Sequence, residues 1–576
     1  MEPASPSSTA TTFPAAGPST IKRPTEDGGE PEAKRVKTDA GTDADPSSAP
    51  PPDAATKPTP PAQKSTKKKD RIKGRRKRSD HDEAGGYNAP SPPRERESGE
   101  VVARLPKRAC ALLIGFCGSG YSGMQIQQNA RTIENTLFDA LVRVGAVSKD
   151  NADDPMKIGL ARAARTDAGV HAAGNVVAAK LITQIPGVED FKARVNEELP
   201  PEIRLWECIR VQNSFNPRTL CDSRKYTYFF PSYLLIPPKP TSAQYRVLKE
   251  HAASLAPPID CPFANDAFWA GETGPSVSNG DEEAEVAPTP AEVGDMARKR
   301  SWRAGAEQMA QLRAGAQRYI ASHNFHNFTV NGTFMDRSNQ RIMKAIEIAD
   351  PVVYGETEWI SVLFHGQSFM MHQIRKMIAV LVLIARTSTP PEIIDELYGP
   401  RDIFIPKMPA LGLLLEQPLF HSYNTRVAAP NEKLPGGEAH ADYRPPIDFE
   451  KHKETMEAFK EEWIYKNMRM VEERDGLFDA WVRMVDAYGG TDFLWLNPRG
   501  TIPAAAVIQP APASKGKTAA NASGRERYRK GGFREKRLFD ATSFPVGGTG
   551  KVAENTAIGD GEGMAEGQEE DAVGKR

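Results

Sequence analysis

ARAARTDAGVHAAGN, Ala161–Asn175, is the stretch whose reading decides the fold. The residues on either side of it are patterned as strands, Lys157–Ala164 before and Val176–Ile182 after. What lies between is then a loop carrying Arg165, Thr166, Asp167, Gly169 and His171. Gly169 is free to take φ > 0, and an Asp side chain can bond nearby amides, so a tight bend is expected. Two readings of Asp167 stand open. It is either an Asx-turn acceptor in a hairpin, with His171 an ordinary strand-edge residue, or a reactive carboxylate held ionised and aimed by Arg165.

Outward from that loop, composition bounds the rest. The 576 residues carry 75 Lys+Arg and 75 Asp+Glu, a formal net charge of +0 that does not argue against a nucleic-acid partner, because the charges are unevenly spread. A hydrophobic content of 39%, with Gly 46 and Pro 48, is low for a globular chain and points to disordered tails. The five Cys (Cys110, Cys117, Cys208, Cys221, Cys261) show no close pairing and read as reduced thiols of an intracellular protein, not as a zinc set. The longest apolar run, Ile378–Ala385, is too short to span a bilayer, and no secretory start is present.

Residues 1–104 are a Pro/Ser-rich arm without periodicity, expected to be disordered. Within it lie the basic clusters Lys22–Arg23, Lys34–Lys37 and Lys67–Arg78, which predict nuclear import or nonspecific RNA contact. Ala109–Phe116 is a buried strand. The GSGYSG that follows, Gly118–Gly123, satisfies the dinucleotide-binding spacing and would support a nicotinamide oxidoreductase. The helix signal, however, comes only at Thr132, an N-cap before Leu137, Leu141 and Val144. Beyond the Asp167 loop the pattern predicts a helix over Val188–Glu198, strands over Ile203–Val211 and Arg224–Phe230, and partial helix over 240–260. A disordered insertion at 271–300 follows. Then come a helix over Ala304–Ser322, the mixed stretch Asn324–Thr329, strands over Arg341–Ile348 and Glu358–His365, and an apolar helix over Ser368–Arg386. That helix carries His372 and Arg375 at i, i+3, and a buried Arg375 requires an anion, either an internal carboxylate or one in an active site. Pro409–Glu416 gives a strand or turn. Asp448–Met470 is an amphipathic helix, and 498–576 returns to low complexity with a basic patch at Arg525–Arg537.

Five ordered motifs then coincide. GYSGMQIQ (Gly120–Gln127), ARTDAGVHA, RKYTYF, SFMMHQIRKMI and PALGLLLE together resemble the TruA family of pseudouridine synthases over about residues 105–425, with ARTD where many members have GRTD. HQIRKM, the basic arm, the insertion and the extra C-terminal helix are most similar to the eukaryotic, fungal-like branch.

The resemblance implies an α+β fold: two ferredoxin-like α/β domains sharing a continuous antiparallel sheet around a basic cleft, with disordered tails. The expected layout is 105–240 for the N-terminal catalytic domain and 241–430 for the C-terminal one. A helical extension at 431–497 and a disordered tail at 498–576 complete it, so that 105–490 would suffice for chemistry. The implied catalytic set is Asp167 as nucleophile, Arg165, Arg375 pairing with it, and Tyr226 stacking on a flipped uridine. Substrate contacts are expected from Tyr226, Gln125, His171, His372 and Leu413. The implied substrate is tRNA in the anticodon stem-loop region, with U2 small nuclear RNA and mRNA as further candidates. No cofactor is required by the chemistry; zinc is associated with some eukaryotic members, but no ligand cluster is visible here. The expected location is the nucleus, through the import machinery, with no membrane association and a monomer favoured over a dimer. The competing reading is a non-catalytic RNA-binding module of the same fold.

Overall fold

A strand that is apolar on both faces belongs in the middle of a sheet. Arg108–Phe116 (RACALLIGF) is buried from Cys110 onward, and in the computed structural model it pairs on both sides. The structure describes residues 105–265, 267–270, 290–330, 332–509, 532–535 and 537–540. The basic clusters of the N-terminal arm and most of the expected insertion lie outside them.

In chain order the strands are β1 (Arg108–Phe116), β2 (Ala161–Arg162), β3 (His171–Leu181), β4 (Ile203–Arg210), β5 (Ser223–Pro231) and β6 (Ala321–Asn324). β7 (Gln340–Ile348), β8 (Val352–Tyr354), β9 (Thr357–Gly366) and β10 (Leu413–Leu419) complete the set. They form one ten-stranded sheet in the order β4-β1-β3-β10-β5-β9-β7-β6, with β2 on β3 and β8 on β9. Every pairing is antiparallel except β3 with β10, where Leu414 faces His171 and Leu415 faces Ala172. The expected continuous α+β sheet is present. Its halves are interleaved, because β10, from the second half of the sequence, lies between β3 and β5.

The helices are α1 (Ile133–Val144), α2 (Phe191–Glu198), α3 (Ala243–Ser254), α4 (Pro290–Ser301), α5 (Ala306–Gln317) and α6 (Gln373–Arg386). They continue with α7 (Ile393–Glu396), α8 (His421–Glu432), α9 (Lys453–Phe459), α10 (Lys466–Asp475) and α11 (Leu477–Ala487). α1 starts where its cap predicts: the Asn135 N–H donates to Thr132 Oγ1 at 3.3 Å, and Gly145 at φ 87° ends it. α6 is buried along nearly its whole length, and its last residue, Arg386, makes a two-pronged pair with Asp486 at 2.7 and 2.9 Å.

Several expectations are corrected. Only Ala161–Arg162 of the strand expected at Lys157–Ala164 is a strand; Pro155–Ile158, led by a proline, is a turn. α6 opens at Gln373 rather than Ser368, after His372 takes the left-handed conformation at φ 59°. α4 occupies the end of the expected insertion, and its Lys299 makes a buried ion pair with Asp479 at 2.7 Å. The amphipathic helix at Asp448–Met470 is α9 continued through a π-turn, Lys460–Tyr465, into α10. α10 touches the GSGYSG loop, where Asn467 Nδ2 donates to Ser119 Oγ at 2.7 Å. Packed structure continues past 497: Ile502, Ala506, Phe533 and Phe539 are buried. All five cysteines are free thiols, and no described helix is long and apolar enough to cross a membrane.

Candidate active site

The Asp167 loop is clamped from both sides. On its first limb, the Asn175 side chain accepts from the Ala164 N–H at 3.3 Å and donates to the Ala164 carbonyl at 3.0 Å. At the bend, Gly169 takes φ 75° and its N–H donates to the Tyr121 carbonyl at 3.3 Å. The Met124 N–H donates to the Thr166 carbonyl at 3.1 Å. The glycines of GSGYSG serve this contact. A Cβ on Gly118 would lie 2.0 Å from the Val170 carbonyl oxygen, and one on Gly123 would lie 2.9 Å from that of Thr166. No helix opens behind that loop, since α1 begins only at Ile133, so the geometry of a dinucleotide site is missing.

The Asx-turn reading finds no support. Among the described contacts the Asp167 carboxylate accepts no backbone N–H, although Val170 N–H donates to its main-chain carbonyl at 3.2 Å. The side chain is 34% exposed, and its Oδ2 lies 3.5 Å from His372 Nε2. Burial raises its pKa above the ordinary carboxylate value; Arg375 and Lys407 pull it down and Asp540 pushes it up. His372 is itself pushed down to about 3, by burial first and then by Arg375, so it is a neutral imidazole. Tyr226, on β5 between Leu415 and Phe364, is nearly buried and meets Phe369 edge-on at 5.1 Å. Burial lifts its phenol to about 12, with the Asp167 charge contributing.

Other expected residues sit differently. Arg165 is exposed, and it is Glu134, rather than Asp167, whose pKa its charge lowers. Glu134 is instead paired with Arg162 and accepts the Ile126 N–H at 3.0 Å, bracing the motif loop. His171 is a fastener, not a substrate contact. It is fully buried: Gly118 N–H donates to its Nδ1 at 3.1 Å, and its Nε2 lies 3.1 Å from the Leu411 carbonyl. Gln125 is half-buried and follows Met124, whose N–H donates to the Thr166 carbonyl. Leu413 opens β10 opposite Tyr228, just after the tight Ala410–Gly412 turn.

Arg375 does not pair directly with Asp167. Its Nη2 is 2.7 Å from Asp540 Oδ1 and also donates to the Phe539 carbonyl at 3.2 Å, and its Nε donates to the Met408 carbonyl at 2.6 Å. Lys407 Nζ donates to Asp540 Oδ2 at 2.7 Å. Lys407, Glu535 and Asp540 were not anticipated. Lys407 lies just ahead of PALGLLLE, but nothing local in a low-complexity tail marks the two acids.

A cavity of about 230 Å³ adjoins His372 and is lined by Asn327, Lys376, Phe404, Lys407 and Glu535 among others. Asp167 and Tyr226 do not line it, so it is a side chamber to the carboxylate. Among the described residues no three His, Cys, Asp or Glu side chains converge to hold a metal ion.

A family model described as tRNA pseudouridine synthase matches residues 316–421, which include His372, Arg375, Lys407 and Leu413. The chain is 37% identical over 495 residues to the tRNA pseudouridine synthase 1 of Schizosaccharomyces pombe, covering 72% of this chain and 89% of that protein. The chain belongs to the tRNA pseudouridine synthase family. The protein of the same name from Saccharomyces cerevisiae is 39% identical over 438 residues, 72% of this chain and 78% of that one. The tRNA pseudouridine(27/28) synthase of that yeast is 37% identical over 336 residues, 55% of this chain and 85% of its own. Members of the family are isomerases acting on tRNA, and this enzyme is one of them.

Proposed function

We propose that Asp167 is the nucleophile of a uridine-to-pseudouridine isomerisation in the anticodon stem-loop region of tRNA. The observation that carries this is a carboxylate free of backbone hydrogen bonds, on a glycine-bent loop, beside neutral His372 and within the field of Arg375 and Lys407. The reaction breaks N1–C1′ and forms C5–C1′; the C5 proton is removed and N1 ends as N–H. Atoms and electrons are conserved, so neither oxidant nor reductant is needed, and we propose that no cofactor takes part. Asp167 attacks the sugar or the base, or takes a proton at the ribose. Tyr226 stacks on the flipped uracil, and its protonated phenol suits a neutral, π-rich platform. His372 and the Lys376/Lys407 side chamber receive a flanking nucleotide, with Leu413 and Gln125 at the pocket rim and Arg165 available to phosphate.

The same reading extends to U2 small nuclear RNA and mRNA as further substrates, to action as a monomer, and to nuclear import through Lys22–Arg23, Lys34–Lys37 and Lys67–Arg78. Removal of those clusters is expected to leave a tagged chain in the cytoplasm. The catalytic assignment is tested with Asp167→Ala and Asp167→Asn in a tritium-release assay on an anticodon-arm tRNA, beside a gel shift. Both variants are expected to lose turnover and keep tRNA binding, which is spread over many phosphate contacts. Appreciable turnover by Asp167→Ala would remove Asp167 from the role.

A further inference from the structure

The side chamber next to Asp167 is walled on one side by chain from beyond α11. Ile403 bridges to Val507, and the Ile508 N–H donates to the Asp402 carbonyl at 2.8 Å. Glu535 Oε1 accepts from the Lys407 N–H at 2.5 Å. Phe404, also of the lining, meets the rings of Phe493 and Phe533 at 6.0 and 5.5 Å. A wall tied down in this way stands ready before any ligand arrives. The opposite wall includes His372, whose Nε2 lies 3.5 Å from Asp167 Oδ2. The chamber therefore begins one imidazole away from the Asp167 carboxylate.

The lining selects what enters. Its two lysines are already committed: Lys407 Nζ donates to Asp540 Oδ2 at 2.7 Å, and Lys376 Nζ donates to the Thr329 carbonyl at 3.0 Å. Two carboxylates, Asp402 and Glu535, share the lining and oppose their charge. A phosphate needs cations that are not already balanced, so it gains little here. A flat, neutral heterocycle with both N–H donors and ring acceptors suits the mixture of apolar walls and polar groups of both kinds. His372 is neutral, and its Nδ1 is buried without a hydrogen-bond partner among the described residues. With Nε2–H turned to Asp167, Nδ1 is an acceptor suited to a base N–H. The volume, about 230 Å³, is below the roughly 300–1,000 Å³ of sites for drug-sized ligands, which matches a single base. Beside the chamber, Phe334 is 37% exposed and meets His326 of the lining edge-on at 5.4 Å. An exposed ring in that place is a ledge on which an unpaired base can stack.

We propose that the chamber is a second base pocket. It takes the nucleobase of the nucleotide directly next to the target uridine, so that two successive bases leave the stack together, one to Asp167 and Tyr226 and the other behind His372. The inference rests on Asp167 as the carboxylate at the target uridine. With one imidazole between the two pockets, the base within reach of the second is the target's neighbour in the chain. Unstacking a second base costs free energy, and the walls of the chamber and the Phe334 ledge offset it.

The experiment uses the full chain carrying Asp167→Ala, with an anticodon-arm RNA in which 2-aminopurine replaces the base 5′ or 3′ of the target. Binding is expected to raise the fluorescence at one of the two positions, as that base leaves the stack. Val330→Trp fills the chamber from an exposed lining position, and in the same background it should abolish the rise while RNA still binds. With Asp167 intact, single-turnover rates are read on RNA lacking that base. The parent chain should slow on the order of 10-fold, the loss of one stacked base. Val330→Trp should be as slow on intact RNA, and removing the base should cost it nothing further. Phe334→Ala, which removes the ledge, should show part of both effects, and it carries the comparison if Val330→Trp does not fold. Unchanged fluorescence at both positions, or fully additive losses from the protein and RNA changes, would overturn the proposal. So would a rate that responds to a neutral methylphosphonate linkage beside the target and not to the missing base, the behaviour of a phosphate site. Turnover by Asp167→Ala would sink the catalytic reading instead, and the fluorescence, which needs no turnover, would still decide the chamber.

Discussion

At the scale of single residues, the site is governed by how one guanidinium is shared. Arg375 is enclosed, so Arg375→Ala leaves Asp540 paired with Lys407 alone and removes a field that favours ionised Asp167. The expected result is loss of turnover with a destabilisation of roughly 3–5 kcal/mol, the cost of breaking a buried pair. Calorimetry and the tritium assay check it. Arg375→Lys, which keeps the charge but not the fork, should recover part of the stability and little of the rate. Resemblance to family motifs singled out Asp167, Tyr226 and Arg375, and the structure brings Asp167 within range of the Arg375 charge and Tyr226 within range of the Asp167 charge. The sequence was silent on the partner of Arg375, because an ion pair between residues far apart in the chain leaves no periodicity or spacing. His171 reads in sequence as a strand-edge residue or a substrate contact, because a histidine beside a reactive loop invites a ligand, whereas here both ring nitrogens tie Gly118 to Leu411. Its pKa, driven down to about 4 by burial, keeps it neutral through that fastening.

At the scale of elements, β1, β3, β5, β9 and α6 could be read from apolar runs and alternation, since burial on a sheet or in a core imposes those patterns directly. β2 could be read only with bounds too long, and α4 could not. The first is two residues held by an edge pairing, and the second lies in a polar stretch whose helix is secured by one buried ion pair, Lys299–Asp479. The α10–α11 junction carries a testable charge of its own. Glu472 is buried there, accepting from the Tyr233 hydroxyl and from the Phe478 N–H at 2.8 Å. Burial, with Asp479 adding, raises its pKa to about 7. Between an unfolded value of about 4.5 and that folded value, the native state binds more protons than the unfolded one, so stability falls as pH rises. The loss amounts to about 3 kcal/mol, complete above pH ~7, since each pKa unit is worth about 1.4 kcal/mol. Melting temperatures measured from pH 5 to 8 should decline, and Glu472→Gln should remove that part of the slope. An identical slope in the variant would exclude Glu472 as its source.

At the scale of the whole molecule, the interleaved sheet makes the two halves one unit: β10 closes against both β3 and β5, and the reactive loop of one half faces the α6 cations of the other. The chain beyond α11 belongs to that unit as well. Composition suggested that residues 105–490 would suffice, because short apolar clusters set among Gly, Pro and charge have no recognisable period. Yet Phe493, Trp495, Phe533 and Phe539 are all buried. Each such side chain contributes roughly 1.5–3 kcal/mol, and a domain's total stability is about 5–15 kcal/mol. A chain ending at Gly490 loses all four, and it is expected to fail to fold cooperatively. Ending at Gln509 spares Phe493 and Trp495 but removes Phe533, Phe539 and Asp540. That chain should fold with a lowered melting temperature, bind tRNA, and turn over slowly. Removing only residues 541–576 should change neither melting nor rate. The three truncations, compared by thermal melting, gel shift and tritium release, form a graded series. Full activity in the chain ending at Gln509 would show that the Phe533–Asp540 segment is expendable to both the core and the chemistry.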